Sequence, residues 1–438
     1  MNRKFFYVLT LFAVAACLSM ATYAQAQEAI SVDIRGPGQA KMNVVTAKPS
    51  GDAGAQAAPP EGEMLTDDIQ KDLSFMPFLK VMPESSILGG GAMGGPLGDQ
   101  IDFKPFALAK VDLVITSNWK HGQRVGDVEL RAYEVFSKRL ILGKEYLSVS
   151  RDQLPEIADR FCMELIALLT GKGDFFKSKI AFSRASGKGR DIWVVSPMGR
   201  DVTQITKYGD LGMAVSPAWS WDGSKVAFTL IGSTRHYLGV WSGGKTQVHT
   251  LPSTNVVSPR FMPNGTIAVS LNLKGSTDIY ALDGNFQPGR ALAADSAVDV
   301  SPSFDKSGNL MAYVSDRLGS PNIYLKDLSG GSDKRVSKSG GYNTNPCLSP
   351  DGKYIVYSKL VGGHRLFLYD IAADQERQIS NGPGNDENPS FSPDSYFIAF
   401  SSTRGGGHQI YITTINGENP ILVPTGGEAK MPSWGPTP

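Results

Sequence analysis

The chain has 438 residues, which is enough for two or three domains with sizeable cores. The charges of its 43 basic and 42 acidic residues nearly cancel, so the composition lacks the excess of positive charge that is typical of nucleic-acid-binding proteins. The 48 glycines and 27 prolines are typical of many short strands joined by tight turns.

The first 26 residues are predicted to be an export signal. Arg3 and Lys4 form a short basic head, and an apolar run of residues 5–16 follows. Ala24-Gln25-Ala26 offers a cleavage site of the A-x-A type, and the apolar run is too short for an ordinary transmembrane helix. An alternative is lipoprotein processing at Cys17, which would then become a lipidated N-terminus. The sequence therefore predicts an exported protein.

Residues 27–173 are predicted to form a small α/β domain. Residues 28–34, EAISVDI, alternate apolar and polar side chains, which indicates a strand at the mature N-terminus. The elements predicted next are a loop over 48–63, a helix over 64–75 with Thr66 as its N-cap, and strands over 78–82, 111–120 and within 127–150.

The clearest helix of this domain begins after Ser150. Ser150 and Gln153 have the spacing of a capping box, and Gly171 lies just past the last apolar position. Six residues are predicted to share its apolar face: Leu154, Ile157, Ala158, Phe161, Leu165 and Leu168. Cys162 falls on the same face, so it is predicted to be a buried core thiol. Cys347 lies in the next predicted domain, so no disulfide between the two is expected.

A repeat replaces the helix signals from Lys179 onward. Six prolines recur at intervals of 42 to 44 residues: Pro217, Pro259, Pro302, Pro346, Pro389 and Pro432. Each of the first five prolines begins a predicted short strand. A turn such as Asp222-Gly223 follows this strand, and an apolar second strand follows the turn. Asp-Gly and Asn-Gly turns predict two-residue hairpins in which both central residues have positive φ. Four strands in about 43 residues, repeated, are typical of a β-propeller blade.

The two sets of strands are offset at the ends of the repeat. The first apolar second strand, at Ile180, has no proline strand before it, and the last proline strand, at Pro432, has no second strand after it. Pairing these two would close a ring and remove two exposed sheet edges. The sequence therefore predicts an α+β two-domain protein. Its residues 174–438 are expected to form a six-bladed β-propeller closed by a C-terminal strand.

Motifs for catalysis or cofactor binding lack the context they need. Residues 89–94 match G-x-G-x-x-G, but Pro96 and Gly98 argue against a following helix, so 89–98 is predicted to be a loop. The five histidines are scattered without H-E-x-x-H spacing, and no G-x-S-x-G occurs. We predict no catalytic residue, no cofactor and no metal. The alternative left open is an enzyme, either a propeller with a channel active site or a peptidase-related protein.

The segments just before the six prolines form the candidate binding platform. One end of every innermost propeller strand rims the central channel, so these segments are predicted to be loops that meet at one mouth. They are Val215-Ser216, Val257-Ser258, Val300-Ser301, Thr344-Asn345, Glu387-Asn388 and Lys430-Met431. Loops on a rigid scaffold commonly carry binding, although they are equally consistent with ordinary polar connections.

Three features together resemble the TolB family, the periplasmic propeller proteins of the Tol–Pal system in Gram-negative bacteria. They are the export signal, the stretch ADRFCMELIALLTGKGDFFKSKIAFSR at 158–184, and six units of the type P-x-(F/W)-S-P-D-G-x-x-I-A-F. The unit alone is shared with prolyl-oligopeptidase-like propellers. The join of the helix to LTG and IAFSR, followed by a terminal closing strand, is more specific.

The resemblance implies a non-enzymatic periplasmic scaffold that supports outer-membrane integrity and envelope constriction during cell division. It implies binding of the peptidoglycan-associated lipoprotein Pal at the propeller mouth, and hence peripheral association with the outer membrane. It also implies binding of TolA by strand addition through Ile30, Val32 and Ile34. The Pal-type positions that it suggests are Asn255, Val257, Ser258, Val300, Ser301, Asn345 and Asn388.

Overall fold

The structure is a computed structural model. It describes residues 41–51, 58–88, 100–120, 126–171, 173, 175–338, 341–417 and 420–436. The predicted export signal, the predicted strand with Ile30, Val32 and Ile34, and the predicted loop over 89–98 lie outside the described residues.

The N-terminal region, residues 41–171 as described, contains one mixed sheet and three helices. Its strands are β1 (Met42–Thr46), β2 (Ser50–Gly51), β3 (Leu79–Val81), β4 (Leu113–Lys120), β5 (Gly126–Glu134) and β6 (Arg139–Val149). Its helices are α1 (Pro60–Ser74), α2 (Lys104–Leu108) and α3 (Leu154–Thr170), with single 3-10 turns at Glu84–Ser86 and Arg151–Gln153. The sheet order is β3-β1-β4-β5-β6, and β2 pairs with β4. None of the described helices has both the length and the apolar composition needed to cross a membrane.

The inner strand β1 is buried on both faces of the sheet. Val44 packs with the residues of α1 and α3, whereas Val45 packs on the other face with Phe106 of α2. Strand β1 runs parallel to both β3 and β4, an arrangement that needs coverage on both sides. The sequence interpretation missed this strand because only two of its five residues are aliphatic.

Helix α1 begins four residues earlier than the sequence predicts. Pro60 occupies its first turn, where a missing N–H costs nothing and the fixed φ favours the helix. The prediction of Thr66 as the N-cap was therefore wrong: its hydroxyl lies inside the helix and donates to Gly62 O at 2.9 Å. The predicted loop over 48–63 is likewise shortened by β2 and by this first helical turn.

Helix α3 confirms most of its sequence prediction. Ser150 and Gln153 form the capping box, and Gly171 ends the helix with a left-handed φ of 73°. Cys162 is fully buried and free. Leu168, however, is 53% exposed, whereas Leu169 is buried, because Leu169 lies one full turn after Leu165 and continues the inner face.

The repeat region, residues 179–436 as described, consists of strands in five sheets. The largest sheet has the order β13-β12-β11-β10-β8-β7-β30, with β9 paired to β8. Its strands are β7 (Lys179–Ser186), β8 (Gly189–Val195), β9 (Thr203–Gln204), β10 (Met213–Trp219), β11 (Lys225–Ile231), β12 (His236–Ser242), β13 (Lys245–His249) and β30 (Ala429–Gly435).

The other four sheets each have four strands in sequence order. The first two are β14 (Val256–Phe261), β15 (Ile267–Asn272), β16 (Thr277–Leu282), β17 (Pro288–Ala293), then β18 (Asp299–Phe304), β19 (Leu310–Ser315), β20 (Asn322–Asp327) and β21 (Lys334–Arg335). The last two are β22 (Asn343–Leu348), β23 (Tyr354–Leu360), β24 (His364–Asp370), β25 (Gln375–Gln378), then β26 (Asp386–Phe391), β27 (Phe397–Ser402), β28 (Gln409–Thr414) and β29 (Ile421–Leu422).

The six proline-bearing strands, β10, β14, β18, β22, β26 and β30, contact one another in succession, and β30 returns to β10. They therefore form a closed circuit. Strand β30 also pairs antiparallel with β7, with Ser433 opposite Ala181 and Trp434 opposite Ile180. The predicted pairing of the last strand with the first strand of the repeat is confirmed.

The turns after the proline strands differ from the two-residue hairpins that the sequence predicts. Ser220 N donates to Lys225 O, so four residues lie between the bonded pair. Gly223 has a φ of 72°, but Asp222 is not among the residues with positive φ. Asp222 instead accepts bonds from the Ser220 hydroxyl and the Ser224 N–H, which stabilises the longer turn. In the last such turn Ser395 takes the left-handed position, with a φ of 65°.

The two regions meet through apolar side chains and one charged cluster. The ring of Phe175 lies 4.5 Å from that of Phe397 and 5.7 Å from that of Trp434. Beside them, Arg200 projects from the segment between β8 and β9 toward α1 and α3.

Three aspartates of the N-terminal region surround the Arg200 guanidinium. Asp72 accepts from Nη2 at 2.8 Å and Asp68 at 3.4 Å, while Nη1 is bonded to Asp159. Nη1 also donates to Pro155 O at 3.3 Å. We call Arg200 and the three carboxylates the Arg200 cluster.

Candidate functional site: the axial channel

Every proline-bearing strand contains a β-bulge just before its proline. In β14, for example, the pairing with β15 shifts between Val257 and Arg260. The residue before each proline has a left-handed φ of 50–57°, and these residues are Ser216, Ser258, Ser301, Asn345, Asn388 and Met431. The segments predicted to be loops are therefore bulges within strands, and that prediction was wrong.

The bulge accommodates the proline within its strand. A proline disfavours helical φ and ψ in the residue before it and cannot donate to a neighbouring strand. It is tolerated here because five of the proline strands lie at the edge of their sheet, and β10 pairs with β8 only at Met213, away from Pro217. A bulge re-aims the local side chain, so six equivalent side chains are turned toward the axis of the circuit.

The six bulge residues meet around a small cavity of about 40 Å³. The hydroxyls of Ser258 and Ser301 lie 3.4 Å apart, and the Ser216 hydroxyl donates to the Met431 sulfur at 3.7 Å. We call these six residues the channel ring. Four of the predicted site residues belong to it: Ser258, Ser301, Asn345 and Asn388.

The other predicted site residues lie outside the ring, on the side where the proline strands begin. We call this end of the channel the mouth. Asn255 is exposed just before β14, and its backbone N–H donates to the Ser253 hydroxyl at 3.0 Å. Val257 and Val300 are half-buried strand residues that immediately precede Ser258 and Ser301.

A larger cavity of about 350 Å³ lies on the opposite side of the ring. We call it the axial cavity. Its walls are the ends of the same six strands, which carry a large apolar side chain at the second position after each proline: Trp219, Phe261, Phe304, Leu348, Phe391 and Trp434. Lys177, from the segment that follows the N-terminal region, and Lys306, from the turn after β18, complete the wall.

The residues directly after the prolines form a layer between the ring and the aromatic walls. Four of them accept a backbone N–H from the next proline strand. The bonds are Leu348 N to Ser303 at 2.9 Å, Phe391 N to Cys347 at 3.4 Å, Trp434 N to Ser390 at 2.9 Å and Trp219 N to Ser433 at 3.2 Å. This layer therefore links neighbouring proline strands around the channel.

Arg260 is the exception in this layer, and the sequence interpretation missed it. Its Nη1 donates to Pro217 O at 3.0 Å, and its side chain borders both cavities. Burial lowers the pKa of Arg260, although a guanidinium stays charged in proteins. Aligning the six residues that follow the prolines would have revealed it, because the others are Ala, Ser or Cys.

Cys347 lies in the same layer and is also absent from the predicted site residues. Burial raises the pKa of its thiol, which keeps it protonated and poorly nucleophilic. Its sulfur replaces a serine hydroxyl as the acceptor for Phe391 N.

Comparison with known proteins identifies relatives of this chain. Residues 166–438 match the family PD40, described as the TolB beta propeller domain. The "Tol-Pal system protein TolB" of Nitratidesulfovibrio vulgaris is 43% identical over 322 residues, which are 73% of this chain and 72% of that protein. The "Protein TolB homolog" of Chlorobium luteolum is 30% identical over 324 residues, with the same shares. The crystal structure of TolB from Acinetobacter baumannii superposes with a TM-score of 0.74 at 21% identity, covering 91% of this chain and 97% of that one.

Proposed function

This chain belongs to the TolB family of Tol–Pal system proteins, and from that premise we propose that it is a non-enzymatic binding scaffold of the cell envelope. The observation that carries the proposal is the channel ring, in which six equivalent residues from a closed circuit of strands meet at one mouth. The ring offers hydroxyl, amide and thioether groups on backbone fixed by strand pairing. Such a surface suits recognition of a partner.

The finer architecture belongs to the same proposal. Residues 1–26 are the export signal, residues 27–173 form the N-terminal domain, and residues 174–438 form a propeller of six blades. The closed circuit of six proline strands supports this count, since each such strand is the inner strand of one blade.

The proposed partner at the mouth is a peptidoglycan-associated lipoprotein of the Pal type. Its contacts are Asn255, Val257, Ser258, Val300, Ser301, Asn345 and Asn388. The exposed amide of Asn255 and the half-buried Val257 and Val300 support this assignment, because together they offer hydrogen bonds beside apolar surface. Through this lipoprotein the protein would associate peripherally with the outer membrane.

The proposed second partner is a TolA-type protein, bound by the N-terminal segment. Ile30, Val32 and Ile34 alternate with polar residues and would line one face of an added strand. The protein would work in the periplasm, supporting outer-membrane integrity and envelope constriction during cell division.

A pull-down from envelope extract with the purified exported chain tests the proposal. We expect recovery of a Pal-like lipoprotein and of a TolA-like protein. Deleting residues 28–34 should abolish recovery of the TolA-like protein and leave the lipoprotein unchanged. Failure of the intact chain to recover any Pal-like lipoprotein would contradict the proposed function.

A further inference from the structure

The walls of the axial cavity carry positive charge without negative charge. Among the described residues that line it, Lys177, Arg260 and Lys306 are cationic and the others are neutral. The small cavity at the channel ring shares Arg260 and has no acidic lining residue. Lys177 and Lys306 are exposed at the rim, whereas Arg260 is partly buried. The electrostatic potential in the axial cavity is therefore positive, and solvent screens the charge of Arg260 less than the charges of the two lysines.

Arg260, like the partly buried Arg184, Arg235 and Arg365, donates to backbone carbonyls in place of a carboxylate, and of these four arginines it is the one that lines the axial cavity. Other arginines are balanced by aspartates. Arg200 and Arg317 each contact three aspartates, and Arg404 forms two bonds to one aspartate, at 2.8 and 2.9 Å. No carboxylate of the described residues lies within ion-pair distance of Arg260, whose Nη1 donates to Pro217 O. A partly desolvated cation without a counter-charge lowers the stability of the fold. An anion bound from outside the chain would supply the missing counter-charge.

Three hydroxyls of the same layer add hydrogen-bond donors. Ser303, Ser390 and Ser433 each accept a backbone N–H from the next strand and line the cavity. A hydroxyl that accepts one bond still has its own proton to donate, and those of Ser303 and Ser390 can turn to the cavity from the neighbouring Cys347 thiol. The layer therefore offers a guanidinium and hydroxyl donors without a competing carboxylate, which is the donor set that an anion needs.

The size and walls of the cavity indicate which anion. A volume of about 350 Å³ lies at the small end of the range for ligand sites and is larger than a simple inorganic ion needs. Aromatic side chains such as Trp219, Phe304 and Trp434 would pack against an apolar neighbour of the anionic group. The planar guanidinium matches a carboxylate in a two-bond geometry. We propose that the axial cavity binds a peptide carboxylate, with Arg260 as the anchoring cation.

The carboxylate has two possible sources, an acidic side chain or a peptide C-terminus. Both present the same group to Arg260, so the test has to separate them. The cavity lies across the channel ring from the mouth, so this site does not depend on the lipoprotein contacts proposed above.

The test titrates the purified full chain with four short peptides. These are acetyl-Leu-Asp-amide, acetyl-Leu-Asn-amide, acetyl-Leu-Ala as the free acid, and acetyl-Leu-Ala-amide. Intrinsic tryptophan fluorescence reports binding, because Trp219, Trp221 and Trp434 line the cavity. We expect at least one acid peptide to bind about ten-fold or more tightly than its uncharged counterpart. The acid that binds identifies the source of the carboxylate.

Two variants test whether Arg260 causes the preference for the acid peptide over its uncharged counterpart. Arg260→Met keeps the length of the side chain and removes its charge, and we expect it to abolish the preference for the acid peptide. Arg290→Met changes an exposed arginine on β17 and should leave the preference intact. Because Arg260 has no counter-charge, Arg260→Met should melt at the same temperature as the unmodified chain or higher, which verifies that it folds.

Three outcomes would overturn the proposal. They are equal binding of acid and uncharged peptides by the unmodified chain, no binding of either acid peptide, and an acid preference that survives in folded Arg260→Met.

Discussion

Two joints hold the repeat region in place, and they use different physical forces. The closing seam, where β30 pairs with β7, consists of backbone hydrogen bonds and buried aromatic packing. The Arg200 cluster, where β8–β9 meets α1 and α3, consists of one cation among three carboxylates. The seam therefore depends on shape and strand register, whereas the cluster depends on the balance of charges at a site partly shielded from water.

Trp434 connects the closing seam to the segment that leads in from the N-terminal region. It is 6% exposed in the seam, and its indole N–H donates to the Ser178 hydroxyl at 2.7 Å. Ser178 belongs to the segment that leads from the N-terminal region into β7, and Phe175 of that segment packs on Trp434. A defect in the seam should therefore reach the junction, whereas a charge defect in the Arg200 cluster should stay local.

The largest expected effect comes from removing the seam. Deleting residues 431–438 takes away most of β30, opens the edge of β7 and removes the packing of β30 against β26. We expect a loss of more than about 5 kcal/mol in the free energy of unfolding, because burial of one tryptophan alone contributes 3–5 kcal/mol. Thermal melting and light scattering measure the loss of stability and the aggregation of open edges. An unchanged melting temperature would show that the seam does not hold the circuit closed.

The next effect comes from removing the cation of the Arg200 cluster. Arg200→Met leaves three carboxylates facing one another, which should cost about 3–5 kcal/mol at the junction. Calorimetry should then show the N-terminal region unfolding ahead of the repeat region. The matched control is Arg160→Met, which breaks an exposed pair with Glu156 and should cost less than about 1 kcal/mol. Equal effects of the two variants would mean that the cluster adds nothing beyond a surface ion pair.

A smaller effect is expected from a single bond at the seam. Ser390→Ala leaves the buried Trp434 N–H without its acceptor, which should cost about 1–3 kcal/mol. Ser390→Cys should retain most of the stability, since Cys347 accepts the equivalent N–H in the neighbouring strand. Chemical denaturation of both variants provides the measurement. A cysteine variant as unstable as the alanine variant would contradict the role of the acceptor.

The smallest effect, counted per pH unit, is a pH dependence confined to the junction. Burial raises the pKa of Asp72 from 3.8 to about 8, against the opposing charge of Arg200. Burial also raises the pKa of Asp159, and Asp68 faces the same guanidinium. The folded state then holds a proton that the unfolded chain releases, so stability should fall as the pH rises from about 4 to about 8.

For one such group, the free energy of unfolding changes by at most about 1.4 kcal/mol per pH unit. Melting temperatures between pH 5.5 and pH 8.5 measure it, and Asp72→Asn should flatten it. The seam variant Ser390→Ala should retain the slope of the unmodified chain. A slope of the opposite sign would mean that the ion pair with Arg200 outweighs burial at Asp72.

The seam could be predicted from the sequence and the Arg200 cluster could not. The repeat pattern shows that the second strand at Ile180 has no proline strand before it and that the proline strand at Pro432 has no second strand after it. A closed circuit that pairs these two strands is the simplest arrangement that accounts for both. The aspartates around Arg200 come from α1 and α3, far away along the chain, and no local pattern brings them together. Arg260 is a different case, because an alignment of the six residues that follow the prolines would have revealed it from the sequence.

The channel ring was predicted in position but not in conformation. Ser258, Ser301, Asn345 and Asn388 were chosen because they precede the prolines, and the structure brings them together. Their left-handed bulges were missed because local propensity favours extended backbone before proline, and the curvature of the closed circuit overrides it.

Both joints matter because they fix the mouth, and binding at the mouth is the central claim. Titration calorimetry with the soluble domain of the Pal-like lipoprotein tests it most directly. The double variant Val257→Arg, Val300→Arg should weaken binding at least about ten-fold, because two cations would be forced into the proposed contact. Val248→Arg, at an exposed valine on the outer strand β13, is the control and should bind like the unmodified chain. Equal affinity of the correctly folded double variant and the control would contradict the claim.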